Sequence, residues 1–272
     1  MALYRAAPAD GVAWVTGAST GIGRSLARDL AAEGYTVAVT ARDEERLATL
    51  VQETAGLPGR IVSFPCDVTD EAAMDKTVTA IEREAGAIVL AVFNAGGYFP
   101  TRGERLDVLN ILKTYEINFF GVIYGMVPVV DRMRARGRGH VVLVGSASSY
   151  FGWPSAASYG SSKAALNNFA EAIKHDFDKI NIRLQIMNLG FVATPLTERA
   201  QFKMPALMKV EDCSRRMAQA IRSGGFEPNF PHRLTWVLKF VRILPFRLRY
   251  PLIHWVSGWK KRPLAPARRR KA

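Results

Sequence analysis

Residues 12–34 read VAWVTGASTGIGRSLARDLAAEG, and this stretch decides the fold. The run from Val12 to Thr16 predicts a short buried strand, and residues 24–33 have the apolar spacing of an amphipathic helix that ends at Gly34. The glycine-rich turn between them would let a diphosphate approach the backbone closely and sit at the N-terminus of a helix. The pattern predicts a nucleotide-binding strand, turn and helix. A tight turn with a purely structural role is the alternative.

The next part of the chain continues this alternation. Further strands are predicted at 35–40, 61–66, 88–93, 141–144 and 182–188, and helices at 43–55, 105–134 and 155–179. We expect the long second helix to be interrupted near Asn118 and Gly121 and to bend, or start again, at Pro128. Such alternation without an internal repeat is typical of an α/β fold with a Rossmann-like, doubly wound parallel sheet. The length of 272 residues allows one large domain, which we place at residues 1–231.

The residues after the second predicted strand bear on the choice of nicotinamide cofactor. An acidic residue there would bind a ribose 2′-hydroxyl, whereas an arginine would neutralise a 2′-phosphate. Ala41 and Arg42 occupy these positions, and Arg24 in the glycine turn adds a second cation. We therefore predict NADP(H), with NAD(H) as the alternative because Asp43 follows directly and Arg42 could be a solvated residue at a helix start.

Two other strand ends offer cofactor contacts. Asp67 and Val68 follow the third predicted strand, where a carboxylate could reach an adenine amino group or cap the next helix. The segment Asn94-Ala95-Gly96 follows the fourth strand, and its small residues would let a cofactor lie flat over the sheet edge. An ordinary turn is the alternative for this segment.

A tyrosine and a lysine four residues apart are the candidate catalytic pair. Tyr159 and Lys163 would lie one turn apart on the same face of the predicted helix. A nearby cation stabilises a phenolate, so Lys163 would lower the pKa of Tyr159 and make it a general acid or base. With eight tyrosines in the chain, this spacing alone is weak evidence.

The combination of motifs is more specific than any one of them. Thr16-Gly17-x-x-x-Gly21-x-Gly23, Asn94-Ala95-Gly96, Asn118, Ser146 and Tyr159-x-x-x-Lys163 occur in one order, and the chain resembles the short-chain dehydrogenase/reductase family, in its compact single-domain branch, over about residues 10–230. The resemblance implies hydride transfer between a nicotinamide and a carbonyl or alcohol.

The resemblance also implies a role for each matching residue. Tyr159 is the acid or base, Lys163 lowers its pKa and holds the nicotinamide ribose, Ser146 hydrogen-bonds the substrate oxygen, and Asn118 anchors a water of the proton relay. Without the resemblance, Ser146 could be a turn hydroxyl and Asn118 a residue at a helix kink. The implied cofactor contacts are Gly17, Ser19, Thr20, Gly21, Ile22, Gly23, Arg42, Asp67, Val68, Asn94, Ala95, Gly96, Tyr159, Lys163, Gly190, Val192 and Thr194.

Two departures from the family pattern concern the cofactor site. Leu189-Gly190 stands where the family commonly has Pro-Gly, which leaves open the path of the loop from Gly190 to Thr194. Phe93 stands where the family often has a first Asn before Asn-Ala-Gly, which affects how the fourth strand is braced. Neither departure removes a group needed for proton transfer.

Charge separates the last 41 residues from the rest. Residues 232–272 contain twelve Lys and Arg and no Asp or Glu, so the first 231 residues carry a formal charge of only +1 out of +13. The N-terminus lacks the features of a signal peptide, no apolar run is long enough to span a bilayer, and the two cysteines have no metal-ligand spacing. We expect a cytoplasmic protein without a metal, and peripheral contact with the cytoplasmic face of a membrane is a second expectation.

The segment 232–272 is predicted to be an amphipathic helical extension and not an independent domain. Within 234–244, Thr235, Lys239 and Arg242 form a narrow polar stripe, and the other positions are apolar. The wide apolar face, the basic residues and the tryptophans are typical of an element in a membrane interface, here residues 234–259. Packing against the body or at an oligomer interface is the alternative, and no nucleic-acid motif is present.

These observations leave two function classes. The first is an NADP(H)-dependent oxidoreductase whose small-molecule substrate is an apolar carbonyl or alcohol, lipid-like or long-chain. We expect this enzyme to be a homodimer or homotetramer. The second is a non-catalytic nucleotide-binding scaffold that uses its basic tail to reach a partner or a membrane. Retention of Asn118, Ser146, Tyr159 and Lys163 favours the enzyme, because a scaffold has no need for a proton relay.

Overall fold

The strands form one parallel sheet. The computed structural model describes residues 3–198 and 204–264. The strands are β1 (Val12–Thr16), β2 (Thr36–Thr40), β3 (Arg60–Ser63), β4 (Ile88–Phe93), β5 (Gly139–Ser146), β6 (Ile182–Leu189) and β7 (Asn229–Phe230). Their order is β3-β2-β1-β4-β5-β6-β7, and every pairing is parallel. The predicted α/β fold is confirmed. The third strand ends at Ser63 and not at Cys66, and β7 was not predicted.

Helices cover both faces of the sheet. They are α1 (Gly21–Ala32), α2 (Glu44–Glu53), α3 (Glu71–Glu84), α4 (Val108–Tyr115), α5 (Gly121–Ala135), α6 (Ala157–Lys179), α7 (Pro195–Glu198), α8 (Val210–Ser223), α9 (His232–Ile243) and α10 (Phe246–Val256). Side chains of α1, α2 and α8 enter the core on one face, and those of α3, α5 and α6 enter the core on the other. Because both faces are covered, the strand residues of β1 and β4 are buried throughout.

The strand order places a binding crevice at one edge of the sheet. The chain leaves β1 toward β2 on one side and later returns to place β4 on the other side of β1. Helices therefore diverge at the carboxyl ends of these two strands, which is where ligands bind in open parallel sheets. Thr16 and Phe93 end β1 and β4, and the glycine turn and Asn94 follow them directly.

A π-helical turn divides the long helical region. Residues Glu116–Phe120 are π-helical and separate α4 from α5, so the interruption predicted near Asn118 and Gly121 is present. No new segment begins at Pro128, because α5 continues through it to Ala135. A π turn shifts the hydrogen-bond register of a helix and is often found at functional sites. Asn118 lies within this turn and is fully buried.

The C-terminal extension is a pair of helices, α9 and α10, followed by a short turn at Trp259–Lys261. Leu238 of α9 packs with Ala147, Tyr150 and Phe151, which follow β5. No helix in the described parts of the chain is long and apolar enough to cross a membrane. The run Arg268 to Lys271, which adds to the predicted basic tail, lies outside the described residues.

The orientation of α9 corrects the expectation from its polar stripe. Thr235 is fully buried and donates to Asn229 Oδ1 at 2.6 Å, and Lys239 Nζ binds Glu227 Oε2 at 2.8 Å. Much of the polar stripe therefore faces the body of the protein. The wide apolar face is turned outward, with Trp236 and Phe240 68% and 65% exposed. A helical wheel could not show this, because partners for Thr235 and Lys239 come from the segment around β7.

Candidate active site

The glycine turn after β1 has the geometry of an anion cradle. Gly17 and Gly21 have φ angles of +69° and +56°, which favour glycine, and a Cβ on Gly17 would lie 2.7 Å from Ala95 Cα. Thr20 at the N-cap of α1 makes no side-chain cap hydrogen bond, whereas α2 and α3 are capped by Asp43 and Asp70. The first amides of α1 are therefore available to an anionic ligand.

Asn94 holds this turn in place. Its Nδ2 donates to Thr16 O at 3.1 Å and to Gly17 O at 3.2 Å, and its backbone amide donates to Thr16 Oγ1 at 3.0 Å. Gly23 packs directly beneath, since a Cβ there would lie 2.4 Å from both Asn94 Nδ2 and Gly17 O. Both residues therefore shape the cofactor cradle, and Gly23 does so without lining it.

Two arginines line the cavity just after β2. Arg42 is 70% exposed and forms an ion pair with Asp67 at 3.6 Å. Arg46, in the first turn of α2, lines the same cavity and pairs with Asp43 at 3.1 Å. Both arginines can turn toward a phosphate, because exposed ion pairs contribute little to stability.

Contrary to the expectation, Arg24 does not join Arg42 and Arg46 in lining the cavity. Its guanidinium donates to Arg46 O at 2.7 Å and to Glu53 Oε2 at 2.8 Å, on the outer side of α2. Arg24 does not line the cavity in this orientation, so the structure adds no support from Arg24 to the expectation of NADP(H). Sequence reasoning missed Arg46, although its position three residues after the helix cap Asp43 was a usable signal.

Tyr159 and Lys163 lie in the first two turns of α6, as predicted. Lys163 is buried, and its Nζ donates to Val144 O at 2.7 Å. Tyr159 is half-buried, and its ring meets the edge of the Tyr98 ring at a centroid distance of 5.5 Å. Both side chains line the large cavity at the carboxyl edge of the sheet. The strand β5 thus fixes the lysine beneath the cavity floor.

The pKa values in this pair differ from the expectation. Burial raises the pKa of Tyr159, and a hydrogen bond with the Ser146 side chain only partly offsets this. Burial lowers the pKa of Lys163 to about 8. The predicted lowering of the tyrosine pKa by Lys163 is therefore not seen, because the ammonium is directed toward Val144 O and desolvation dominates at both groups.

Ser146 ends β5 and faces Tyr159. Its Oγ accepts hydrogen bonds from Ser148 N at 3.2 Å and from Ser148 Oγ at 2.9 Å. These donors hold the oxygen in place, and its own proton is left for donation to the Tyr159 hydroxyl, with which Ser146 is hydrogen-bonded, or to a substrate oxygen in the cavity. Ser146 and Tyr159 therefore form a pair of hydroxyl groups that can both reach one substrate oxygen.

Asn118 lies behind the cavity and not in it. Its Oδ1 accepts from Gly97 N at 2.8 Å, and its Nδ2 donates to Gly97 O at 3.0 Å and to Ser162 Oγ at 3.1 Å. These bonds use both donors of the amide, so the side chain positions the strand end and α6.

The cavity that joins these groups has a volume of about 570 Å³. All predicted cofactor residues except Gly23 line it, together with Ser146. Asp67, which was predicted to contact an adenine, and Val68 line it after β3, and Thr194 lines it on the loop after β6. Asp67 also accepts from Thr69 N and Thr69 Oγ1, so it orders its own turn as well as facing the cavity. No cluster of metal-ligating side chains occurs within 3–198 and 204–264.

Sequence reasoning missed part of the cavity wall. Tyr98 and Phe99 follow β4 and line the cavity next to Tyr159. Tyr98 OH donates to Ser155 O at 3.4 Å, and Ser155 itself has a φ angle of +63° just before α6. The signal was available, because aromatic residues immediately after Asn94 to Gly97 must lie at the carboxyl edge of the sheet.

The two departures from the family pattern are accommodated locally. Leu189 continues β6 as its last residue and pairs with Phe230 of β7. The loop after it still reaches the cavity, where Thr197 Oγ1 donates to Val192 O at 2.7 Å and accepts from Thr194 N at 2.9 Å. Phe93 is buried and packs edge-on against Trp14, so an apolar contact braces β4 at this position.

Comparison with known proteins agrees with this geometry. Residues 11–204 match the family model described as short chain dehydrogenase. An uncharacterized oxidoreductase of Myxococcus xanthus is 33% identical over 233 residues, which are 86% of this chain and 92% of that protein. The 3-oxoacyl-[acyl-carrier-protein] reductase MabA of Mycobacterium tuberculosis is 30% identical over 183 residues, 67% of this chain and 70% of that protein.

A solved structure shares the fold over most of both chains. A single-substitution variant of actinorhodin polyketide ketoreductase, crystallised with NADPH, superposes with a TM-score of 0.75 at 26% sequence identity. The match covers 83% of this chain and 97% of the ketoreductase. The described elements of this chain therefore include nearly the whole of that fold.

Proposed function

This chain belongs to the short-chain dehydrogenase family, and on that premise we propose that it is an NADP(H)-dependent oxidoreductase that reduces an apolar carbonyl compound. The observation that carries the proposal is the meeting of Ser146, Tyr159 and Lys163 in one cavity with the glycine cradle at the N-terminus of α1. The cradle suits a diphosphate, since its helix amides lack a side-chain cap and Gly17 leaves room for close approach.

The preference for NADP(H) is supported by the charge at the end of β2. Arg42 and Arg46 both line the cavity beside Ala41, where a cofactor with a 2′-phosphate would place two negative charges. The similarity to a ketoreductase crystallised with NADPH supports the same choice. Asp43 lies close by but caps α2 through Arg46 N at 3.0 Å, which occupies one of its oxygens.

The proton chemistry follows from the two hydroxyl groups. Bound NADPH would supply the hydride. Tyr159 would give its proton to the substrate oxygen as that oxygen gains charge, and Ser146 would donate a hydrogen bond to the same oxygen. The raised pKa of Tyr159 keeps the phenol protonated at neutral pH, which is the form that carbonyl reduction requires. Lys163, fixed by Val144 O, would hold the ribose hydroxyls and supply positive charge beneath the reacting groups.

The apolar substrate is supported by the surroundings of Tyr159. Tyr98, Phe99 and Ile117 line the cavity, and Leu196 of α7 lines it too. Aromatic and aliphatic walls stabilise an apolar chain by excluding water from it. Similarity to a 3-oxoacyl-[acyl-carrier-protein] reductase agrees with an acyl-like substrate. A Bacillus subtilis relative, 34% identical over 185 residues, is named 2,3-dihydro-2,3-dihydroxybenzoate dehydrogenase. A polar, hydroxylated substrate of that kind is the alternative to an apolar one.

Two measurements test the proposal. Purified protein is titrated with NADPH and NADH by cofactor fluorescence, and ketones and aldehydes of increasing chain length are then screened with the tighter cofactor. We expect tighter binding of NADPH, with Arg42→Ala and Arg46→Ala each reducing this preference by about tenfold, since each removes a charged contact to the phosphate. We expect kcat/KM to rise with chain length. Tighter binding of NADH would contradict the preference for NADP(H). Turnover of small polar ketones alone would contradict the apolar substrate.

We also propose that the protein forms a homodimer through α4 and α5. Leu109 and Leu112 on α4 are 77% and 55% exposed, and Val127 on α5 is 54% exposed. Such a row of apolar side chains is typical of a subunit interface. Size-exclusion chromatography with light scattering should give a dimer or a tetramer built from it. The double change Leu109→Glu and Val127→Glu should give a monomer, and an unchanged mass would refute this interface.

A further inference from the structure

We propose that the helices α9 and α10 form a docking surface for an anionic phospholipid membrane. This surface comprises residues 232–264 and is called the docking hairpin only because it consists of two consecutive helices. It goes beyond the proposed enzymatic function, because it concerns where the protein binds and not what it catalyses. Its elements are too short to cross a bilayer, so the contact would lie in the plane of the membrane interface.

The outward face of α9 is apolar, and the described residues do not cover it. Trp236, Phe240 and Ile243 are 68%, 65% and 79% exposed, and their spacing places them on one stripe of the helix. The polar residue Thr235, roughly 100° away around the helix, is buried and donates a hydrogen bond to Asn229. This orientation is the reverse of that of an ordinary surface helix, which turns its polar face to water.

The second helix extends the same kind of surface. No residue of α10 is buried, and Phe246 and Trp255 are 66% and 79% exposed. The exposed tryptophans and Tyr250 are the side chains that are enriched at the boundary between lipid and water. Several large apolar side chains exposed next to one another typically mark a site of interaction.

The charges around these apolar residues select an anionic partner. Residues 232–264 contain eight Lys and Arg and no Asp or Glu. Of these, Arg233, Arg242, Arg247 and the pair Lys260-Lys261 are exposed. Basic side chains beside an apolar helix face bind phospholipid head groups while the apolar groups enter the interface.

Other occupants fit these observations less well. A second copy of the same surface would bring together two sets of exposed cations, among them Arg233, Arg242 and Arg247, and residues 232–264 supply no acidic residue to neutralise them. Nucleic acid would neutralise the cations but would leave Ile243, Trp255 and the other apolar groups without a contact that excludes water. A membrane with anionic lipids satisfies both the charge and the apolar surface.

The position of the hairpin adds a consequence that rests on the proposed function. Leu238 and Ile253 pack with Tyr150, Phe151 and Trp153, in the segment that follows Ser146. Docking would therefore bring the catalytic edge of the sheet close to the bilayer. A lipid-soluble carbonyl compound could then reach Tyr159 from the membrane and not from water.

The test uses the full-length protein and vesicles, and it needs no turnover. Co-sedimentation is measured with phosphatidylcholine vesicles that contain or lack phosphatidylglycerol. Two double variants change exposed residues only: Ile243→Ser with Trp255→Ser, and Arg233→Gln with Arg247→Gln. The control, Arg60→Gln with Lys76→Gln, removes the same charge from exposed positions on β3 and α3. Near-UV circular dichroism and thermal unfolding check that each variant is folded.

We expect binding that requires phosphatidylglycerol and weakens as salt rises. The arginine variant should bind about thirtyfold more weakly, since each basic group near an anionic surface contributes about fivefold. The apolar variant should bind at least about tenfold more weakly, because two buried anchors are lost. The control should bind as the wild type does.

Several results would overturn the inference. Failure of the wild type to bind either vesicle would do so, as would binding by both hairpin variants at the wild-type level. If the arginine variant loses binding and the apolar variant keeps it in full, the contact is purely ionic, which equally refutes the interfacial surface. Because cofactor binding is measured separately, failure here leaves the proposed enzymatic function to its own test.

Discussion

Replacing Tyr159 by phenylalanine is the most direct test of the active site, because it removes one oxygen atom and little else. The ring contact with Tyr98 at 5.5 Å is available to either side chain. The hydroxyl hydrogen-bonds the Ser146 side chain, which keeps two donors from Ser148 when the phenol is lost. We therefore expect the variant to fold normally.

The loss of activity expected in Tyr159→Phe can be estimated from the contribution of a general acid. A positioned general acid contributes about 10²–10⁴-fold to rate. In Tyr159→Phe, Ser146 can still polarise the carbonyl, but no described side chain lining the cavity beside it is placed to supply the proton. We expect kcat for carbonyl reduction to fall about a thousandfold, which corresponds to about 4 kcal/mol of transition-state stabilisation. Affinity for NADPH should change little, since Lys163 is held by Val144 O independently of the phenol.

The neighbouring Tyr98 provides a matched control. Tyr98→Phe also removes one hydroxyl from the cavity wall, and this hydroxyl makes only a long hydrogen bond of 3.4 Å to Ser155 O. Such a bond contributes at most about 1 kcal/mol, so activity should fall by less than about fivefold. The assay follows NADPH oxidation with the best carbonyl compound from the chain-length series, alongside fluorescence titration of NADPH and thermal unfolding.

Two outcomes would refute the assignment. If Tyr159→Phe keeps more than about a tenth of the activity while binding NADPH normally, another group must donate the proton, since that loss is below the range for a general acid. If Tyr98→Phe loses as much activity as Tyr159→Phe, the effect belongs to packing of the cavity wall and not to proton transfer.

Three further predictions concern the glycine turn and two buried bases. Gly23→Ala should weaken NADPH binding at least about tenfold, because its Cβ would lie 2.4 Å from Asn94 Nδ2 and Gly17 O, whereas Gly103→Ala, with open space around it, should bind normally in the same titration. The kcat/KM for NADPH should fall as pH rises through about 8, where Lys163 loses its proton, and Lys163→Arg should abolish that inflection in a pH profile even if its activity is low. His140 is buried against Gln185, and burial lowers its pKa to about 3 from 6.5. The unfolded chain binds this proton below pH 6.5 and the folded chain does not, so stability should fall on acidification, by about 3 kcal/mol near pH 4.5, and urea unfolding of His140→Gln should show a smaller pH dependence.

The sequence was sufficient where a function depends on residues close together in the chain. The turn after β1 has glycines at 17 and 21 because both positions have positive φ angles, so this part of its structure could be predicted from spacing. Tyr159 and Lys163 share a helix face for the same reason. Ser146 required the resemblance to a family, because a serine at a strand end has no distinctive local pattern.

The features that escaped prediction depend on contacts between distant segments. The strand β7 has two residues and forms because Phe230 pairs with Leu189, which no periodicity within the chain could reveal. The direction of Arg24 is set by Glu53 on another helix. The pKa of Tyr159 is raised mainly by burial in the folded protein, and the spacing of Tyr159 and Lys163 in the sequence cannot show how far each side chain is removed from water.

Some basic residues of the C-terminal segment bind the body of the protein, and others are exposed to solvent. A mutational study of this segment must therefore treat the two groups separately. Glu227 accepts hydrogen bonds from Lys239 Nζ at 2.8 Å, from Asn188 Nδ2 at 2.9 Å and from Tyr150 OH at 3.0 Å. Burial opposes ionisation of Glu227, but these donors and the charge of Lys239 leave its pKa lowered, so the carboxylate stays charged.

One cation of the docking hairpin thus stabilises the junction between β6, the segment after Ser146 and α9. Deleting residues 234–272 would remove this cation together with the buried side chains of Thr235 and Leu238, and would disturb the catalytic edge of the sheet for reasons unrelated to a membrane. Single substitutions avoid this difficulty, because Arg233 and Arg247 are exposed whereas Lys239 is bound to Glu227. The sequence shows all three only as basic residues, and it is the fold that distinguishes the lysine bound to Glu227 from the exposed arginines of the proposed docking surface.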